Sequence, residues 1–164
     1  MHLRLAGITT TAWLCLVATA NAAEPLTSLD AAGLRAELDA LNGRVVLVNF
    51  WATWCRSCLE EIPALMELES ELQENGFSLV AVSLDEPDSG NTLVRPFMNK
   101  QFPGFTSYLS TERDMDDMVS VVDPAWDEIL PTSYLLARDG SVAEHIQGKN
   151  SMEEFKAKTL PLIE

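Results

Sequence analysis

Two of the chain's three cysteines, Cys55 and Cys58, stand three positions apart in WATWCRSCLEEIP, the stretch from Trp51 to Pro63. Thiols at that spacing can be a structural cross-link, half of a metal site or a dithiol–disulfide redox pair. A cross-link stabilises mainly by restricting the unfolded chain, and so short a loop restricts it little. A structural zinc site needs four ligands. Outside the first 22 residues the chain offers these two cysteines and one histidine, His145. A c-type haem site needs CxxCH, and Leu59 follows Cys58. Thiol–disulfide exchange, which needs neither metal nor cofactor, is the chemistry these residues favour.

Exchange needs one activated sulfur and one shielded sulfur, and the flanking elements are predicted to supply both. Arg44 to Trp51 (RVVLVNFW) is a valine-rich run suited to a strand buried on both faces of a sheet. Leu59 to Asn75 reads as a helix with Ile62, Leu65, Leu68 and Leu72 on one side and glutamates on the other. Gly76 ends it, and Pro63 is expected to kink it. Cys55 thus falls between a central strand and a helix start. Backbone N–H groups there lack partners, and the positive end of the helix dipole favours thiolate. Arg56 adds a neighbouring positive charge. Cys55 is therefore expected to be the nucleophile. Cys58, nearly one turn on, is the shielded sulfur that resolves a mixed disulfide. Glu61, three residues further, shares its helix face.

The remaining elements follow from periodicity and turn signals. Ser28 to Leu41 is predicted as a first helix, with Leu34, Leu38 and Leu41 at helical spacing. Phe77 to Leu84 is a second buried strand, and Asn91 to Phe102 a short helix interrupted by Pro96. Phe105 to Leu109 is a third strand, and Met115 to Val122 a helix. Met115 and Met118 could suggest copper, but at that spacing they read as one helix face packed inward. Thr132 to Ala137 and an alternating, half-buried Ser141 to Gln147 form a hairpin about Asp139–Gly140. Ser151 to Glu154 is a capping box. It opens a last helix with Met152, Phe155, Thr159 and Leu162 inward. Parallel βαβ units followed by an antiparallel hairpin predict a mixed α/β sandwich with helices on both faces.

Arg4, an apolar run of roughly Leu5 to Ala20 and the small residues Ala20–Asn21–Ala22 describe a signal peptide over residues 1–22, cleaved after Ala22. Cys15 would leave with it. Residues 23–164 then form one exported domain, which places the thiol pair in the periplasm. The formal net charge of −14 becomes one unit more negative when Arg4 departs. Such a surface repels nucleic acid and anionic lipid and favours basic partners.

The motif FWATWCxxC followed by ExP, with LPTSYLLARDG later, resembles the thioredoxin superfamily. More narrowly it resembles the exported TlpA/ResA-like thiol–disulfide oxidoreductases, from about Gly43 to the C-terminus. The resemblance implies a thioredoxin fold with a βαβ-type insertion at about 85–127. It implies that Pro131 is a cis-proline against the sulfurs, with Leu130 before it and Thr132 after it giving substrate peptides a backbone edge. Asn49 and Ser83 depart from thioredoxin, which has an aspartate and a lysine there. Asn49 cannot titrate; TlpA/ResA-like proteins carry an active-site glutamate at the position of Glu61, so the resemblance implies Glu61 as the group that moves the resolving thiol's proton. Trp54 is read as a partly exposed wall beside Cys55, Trp51 as core, and Trp126 as a residue that could reach the same groove.

The same resemblance implies a reductant fed by a membrane thiol donor of the DsbD/CcdA type, with membrane contact only through that partner. Its targets would be cysteine pairs in exported proteins, of the cytochrome c or copper-site maturation kind. Ser57 loosens the turn where relatives often have proline, and Arg56 pushes toward a more oxidising couple. An oxidant or isomerase, a non-catalytic binding module and a copper chaperone are the alternatives. The intact CxxC argues against the second. The third lacks its CxxxC and a histidine just before Thr132.

Overall fold

The computed structural model describes residues 26–164; the expected leader and its cleavage point lie outside them. Its strands and helices alternate as β1 (Leu26–Leu29), α1 (Ala31–Ala40), β2 (Val45–Trp51), α2 (Arg56–Leu72), β3 (Phe77–Ser83), α3 (Arg95–Gln101), β4 (Ser107–Ser110), α4 (Met115–Val119), β5 (Thr132–Leu136), β6 (Val142–Gln147) and α5 (Met152–Ile163). The six strands form one sheet in the order β1-β4-β3-β2-β5-β6. The first four run parallel to their neighbours, and β5 and β6 complete the sheet antiparallel. This is the mixed α/β architecture expected, with one strand more.

The extra strand is β1. Ser28, expected to open the first helix, pairs instead with Leu109 of β4. The helix begins after Asp30, whose carboxylate caps it by accepting the Gly33 N–H at 2.7 Å. The four residues LTSL carry no run long enough to announce a strand. Their conformation comes from pairing with a segment some 80 positions away.

The valine-rich β2 is buried along its whole length. Its side chains alternate between two layers. Val46, Val48 and Phe50 pack with Leu34, Met118 and Val119 on the face of α1 and α4. Val45 and Leu47 pack with Leu65, Leu68 and Phe155 on the face of α2 and α5. Asn49 and Trp51 point the same way as Val45 and Leu47. Trp51 is core, as read: it is fully buried, stands edge-on to Phe105 and donates from Nε1 to Ser107 Oγ at 2.9 Å.

α2 starts three residues earlier than the apolar pattern predicts and runs through Pro63. Its continuation, a 3-10 turn over Gln73–Asn75, stops at Gly76, whose φ of +87° is open to glycine at little cost. The expected helix around Pro96 is one helical run that changes type beside the proline, from a π turn (Gly90–Val94) to α3, after a 3-10 turn (Pro87–Ser89). The hairpin forms at Asp139–Gly140. β6 alternates from Ala143 to Gln147 as expected, with Glu144 part-buried and Ile146 buried on one face, but it is more exposed than half-buried, and a register shift opposite Leu135/Leu136 interrupts it near Val142. The capping box at Ser151 and Glu154 is present in both directions, and Phe155 and Thr159 are buried as expected.

Candidate active site

Cys55 and Cys58 are joined in a disulfide, with Cα atoms 5.3 Å apart. Cys55 is the N-cap of α2, and its sulfur accepts the Cys58 backbone N–H at 3.2 Å. It occupies the place a serine or aspartate oxygen takes in an ordinary cap. The sulfur therefore faces the helix end where a negative charge is favoured. Ser57 Oγ lies 3.6 Å from it. Cys55 is 7% exposed and Cys58 1%. That asymmetry is the one exchange chemistry requires.

The turn leading into Cys55 is held by an anchor that spacing did not reveal. The buried Asp85 accepts the Thr53 N–H at 2.9 Å, Thr53 Oγ1 at 2.5 Å and Ser83 Oγ at 2.7 Å. Ser83, at the lysine position of thioredoxin, thus orients the carboxylate that fixes the active-site turn.

Behind the sulfurs lies a buried polar cluster. Glu61 projects from the buried stripe of α2 that also carries Cys58, and is 1% exposed. Its carboxylate accepts Asn49 Nδ2 at 3.1 Å and the Asn150 backbone N–H at 2.7 Å. Burial raises its pKa to about 7, against the lowering effect of the Asn150 and Asn49 hydrogen bonds. Asn49 Nδ2 also donates to Ser133 Oγ at 2.9 Å, while its buried Oδ1 has no hydrogen-bond partner among the described residues. Asn150 and Ser133 lie on distant segments, so no local pattern marks the first as a partner of Glu61 or the second as a partner of Asn49.

In front of the sulfurs is an open cleft of about 460 Å³ lined by Trp54, Cys55, Arg56, Ser57, Glu60, Glu128 and Leu130. Trp54 is 64% exposed, a wall of the cleft as expected. The Leu130–Pro131 bond is cis. The expected docking edge is narrower than residues 130–132. Pro131 C=O already accepts the Gly148 N–H at 2.9 Å, and Thr132 is buried within the sheet between Phe50 and Gln147. Leu130 keeps its backbone groups free of hydrogen bonds among the described residues.

Two other expectations change. Trp126 is absent from the cleft lining; its Nε1 donates to Ile129 C=O at 3.3 Å, bracing the loop before Pro131. Arg56 does not point its charge at the sulfur. Its Nε pairs with Glu60 at 3.1 Å, its side chain is 93% exposed, and Lys149 reaches the same glutamate at 3.0 Å. His145 stacks on Tyr134 with ring centroids 4.6 Å apart and shares a 2.8 Å hydrogen bond with Thr132 Oγ1. Met118 is buried and Met115 packs against the same core, as one inward helix face.

An exchange-competent cysteine pair at the start of α2, with a cis-proline loop across the cleft, places this chain in a class: thioredoxin-fold thiol–disulfide oxidoreductases. Comparison with known proteins agrees. The AhpC/TSA family model matches residues 19–145. Thiol-disulfide oxidoreductase ResA of Bacillus thuringiensis (strain Al Hakam) is 32% identical over 127 residues, covering 77% of this chain and 68% of that protein. ResA of Bacillus subtilis (strain 168) is 32% identical over 119 residues, covering 73% and 62%. A solved structure, a putative thiol:disulfide interchange protein DsbE from Chlorobium tepidum, superposes with a TM-score of 0.64 at 25% identity, covering 77% of this chain and 85% of that one. The chain belongs to the AhpC/TSA family of the thioredoxin superfamily.

Proposed function

We propose that this oxidoreductase works outside the cytoplasm as a reductant of cysteine pairs in other exported proteins. The observation that carries the reading is the depth difference between the sulfurs. Cys55 lines the cleft, while Cys58 sits behind it on the helix face that carries Glu61.

In the reduced protein the Cys55 thiolate attacks one sulfur of a substrate disulfide. A Cys55–substrate bond forms and the substrate's own S–S bond breaks, releasing one thiolate. Cys58, having lost its proton, then attacks the Cys55 sulfur. The Cys55–Cys58 bond forms and the second substrate thiolate leaves. Two electrons pass to the substrate. Glu61 acts at the second step. A carboxylate with a pKa near 7 can take a proton at neutral pH and release it again. Trp54 and Leu130 flank the incoming cysteine, Leu130 offers its backbone N–H and C=O, and Pro131 shapes that edge.

The oxidised protein must be reduced again in an oxidising compartment, which calls for a membrane thiol donor of the DsbD/CcdA type. Residues 1–22 act as the export signal, cleaved after Ala22, and residues 23–164 form the working domain, with about 85–127 as the insertion. Among the described residues no helix is long and apolar enough to cross a membrane. Cysteine pairs of the cytochrome c or copper-site maturation kind are the substrates that suit this polarity of electron flow.

The test is the reduction potential of the Cys55–Cys58 couple, by equilibration with glutathione buffers, alongside an insulin reduction assay. A value near or below about −270 mV, with insulin reduced, supports a reductant. A value approaching about −120 mV reverses the direction.

A further inference from the structure

The loop wall of the cleft contains a residue in a disfavoured conformation. Glu128 has φ +63°, the only positive value at a non-glycine among the described residues. Glutamate seldom adopts that region, because its Cβ crowds the backbone. Neighbours hold it there. The Asp127 carboxylate accepts the Gln147 side-chain amide at 2.7 Å. Trp126 Nε1 donates to Ile129 C=O. Leu130–Pro131 and β5 follow at once. The Glu128 side chain is exposed and lines the same cleft as Cys55.

Charge balance differs between the two walls. On the α2 wall Glu60 is compensated twice, by Arg56 at 3.1 Å and Lys149 at 3.0 Å. Glu128 pairs with no cation among the described residues. Of the three charged residues lining the cleft, it alone is uncompensated. It stands two residues before Leu130, whose backbone groups are free to pair with an extended segment.

We propose that Glu128 sets substrate preference, selecting protein disulfides whose attacked cysteine has a lysine or arginine one or two residues away. This rests on the reading of the cleft as the docking site for the substrate cysteine. The occupant is an extended basic segment. Its cysteine reaches Cys55, its main chain meets Leu130, and its cation lies against Glu128. The favourable charge pair is exposed, so it acts through encounter rate and register more than through tight binding. The chain's overall acidity adds a long-range attraction of the same sign. An exposed pair of this kind is worth about a three- to five-fold difference in rate at low salt.

The test uses the reduced protein, residues 23–164, in single-turnover exchange with three synthetic peptide disulfides. They differ only in having lysine, alanine or glutamate beside the cysteine, and the protein's tryptophan fluorescence follows the reaction. The lysine peptide should react about three- to five-fold faster than the alanine peptide and faster still than the glutamate peptide, with the gap narrowing as salt rises. In E128Q the lysine/alanine ratio should fall toward one. E128N, whose side chain tolerates the left-handed region better, should do the same, which separates charge from backbone distortion. E128K should invert the order. Equal wild-type rates for all three peptides, or full preference retained in E128Q and E128N, would overturn the proposal. Failure to exchange with any peptide or with neutral hydroxyethyl disulfide would overturn the docking reading on which it rests.

Discussion

The Asn150 backbone N–H donates to the Glu61 carboxylate at 2.7 Å, across 89 positions of sequence. With Asn49 Nδ2 on the other oxygen, it gives a buried acid two neutral donors and, among the described residues, no cation. The carboxylate is stabilised enough to form near neutral pH but not enough to stay ionised below it.

Resolution by Cys58 should therefore depend on Glu61. In the wild type the rate of thiol release from a Cys55 mixed disulfide should rise as pH passes about 7. In Glu61→Gln it should be slower, about 10-fold or more, and the inflection near 7 should disappear. Stopped-flow release of a chromophoric thiol measures both, and identical pH profiles would remove Glu61 from proton transfer.

The same residue makes stability pH-dependent. Its pKa rises from 4.5 in the unfolded chain to about 7 in the fold, so the native state binds more protons between those values. Its contribution is fully present below about pH 4.5 and is lost as pH climbs to 7. The loss is at most about 3 kcal/mol. Denaturation of the oxidised protein should show Glu61→Gln gaining on wild type by up to that amount between pH 4.5 and 8. Parallel curves would contradict the linkage.

Removing the Asn49 donor should push the Glu61 pKa higher still, since that hydrogen bond lowers it. Carboxyl carbon NMR of Asn49→Ala reads the shift directly. No change would mean that Asn49 serves only the packing of β2.

Asp85→Ala strands the Thr53 N–H and two hydroxyls. A loss of about 2–3 kcal/mol in chemical denaturation is expected, as for other buried partners left unpaired. Amide exchange at Thr53 should quicken more than in the strands, because the turn is released first.

Arg56→Ala should move the reduction potential by no more than about 20 mV, because an exposed, already paired guanidinium interacts weakly with the sulfur. A shift several times larger would restore the oxidising role that its place in the sequence suggests.

The sequence by itself determined the chemistry and the elements whose signals are local. CxxC between a valine run and an amphipathic helix sets the reactive pair. Asp139–Gly140 makes the hairpin turn, where Gly140 takes φ +82°. Ser151 and Glu154 cap α5 within one helical turn. Cys55 and Cys58 stood out by motif and spacing, whereas Glu61, Trp54, Leu130 and Pro131 were singled out through the family resemblance; Cys55, Trp54 and Leu130 line one cleft, and Glu61 shares the buried face of α2 with Cys58. The tertiary structure alone decided what surrounds them. β1 forms because β4 offers it an edge. The Asn49–Glu61–Asn150 cluster and the Asp85 anchor join segments that meet only when the sheet closes. Arg56 turns to Glu60 because the helix brings residue i+4 beneath it. Periodicity reports which face is buried; it does not report which distant polar groups meet there, and those meetings decide where protons and charges can reside.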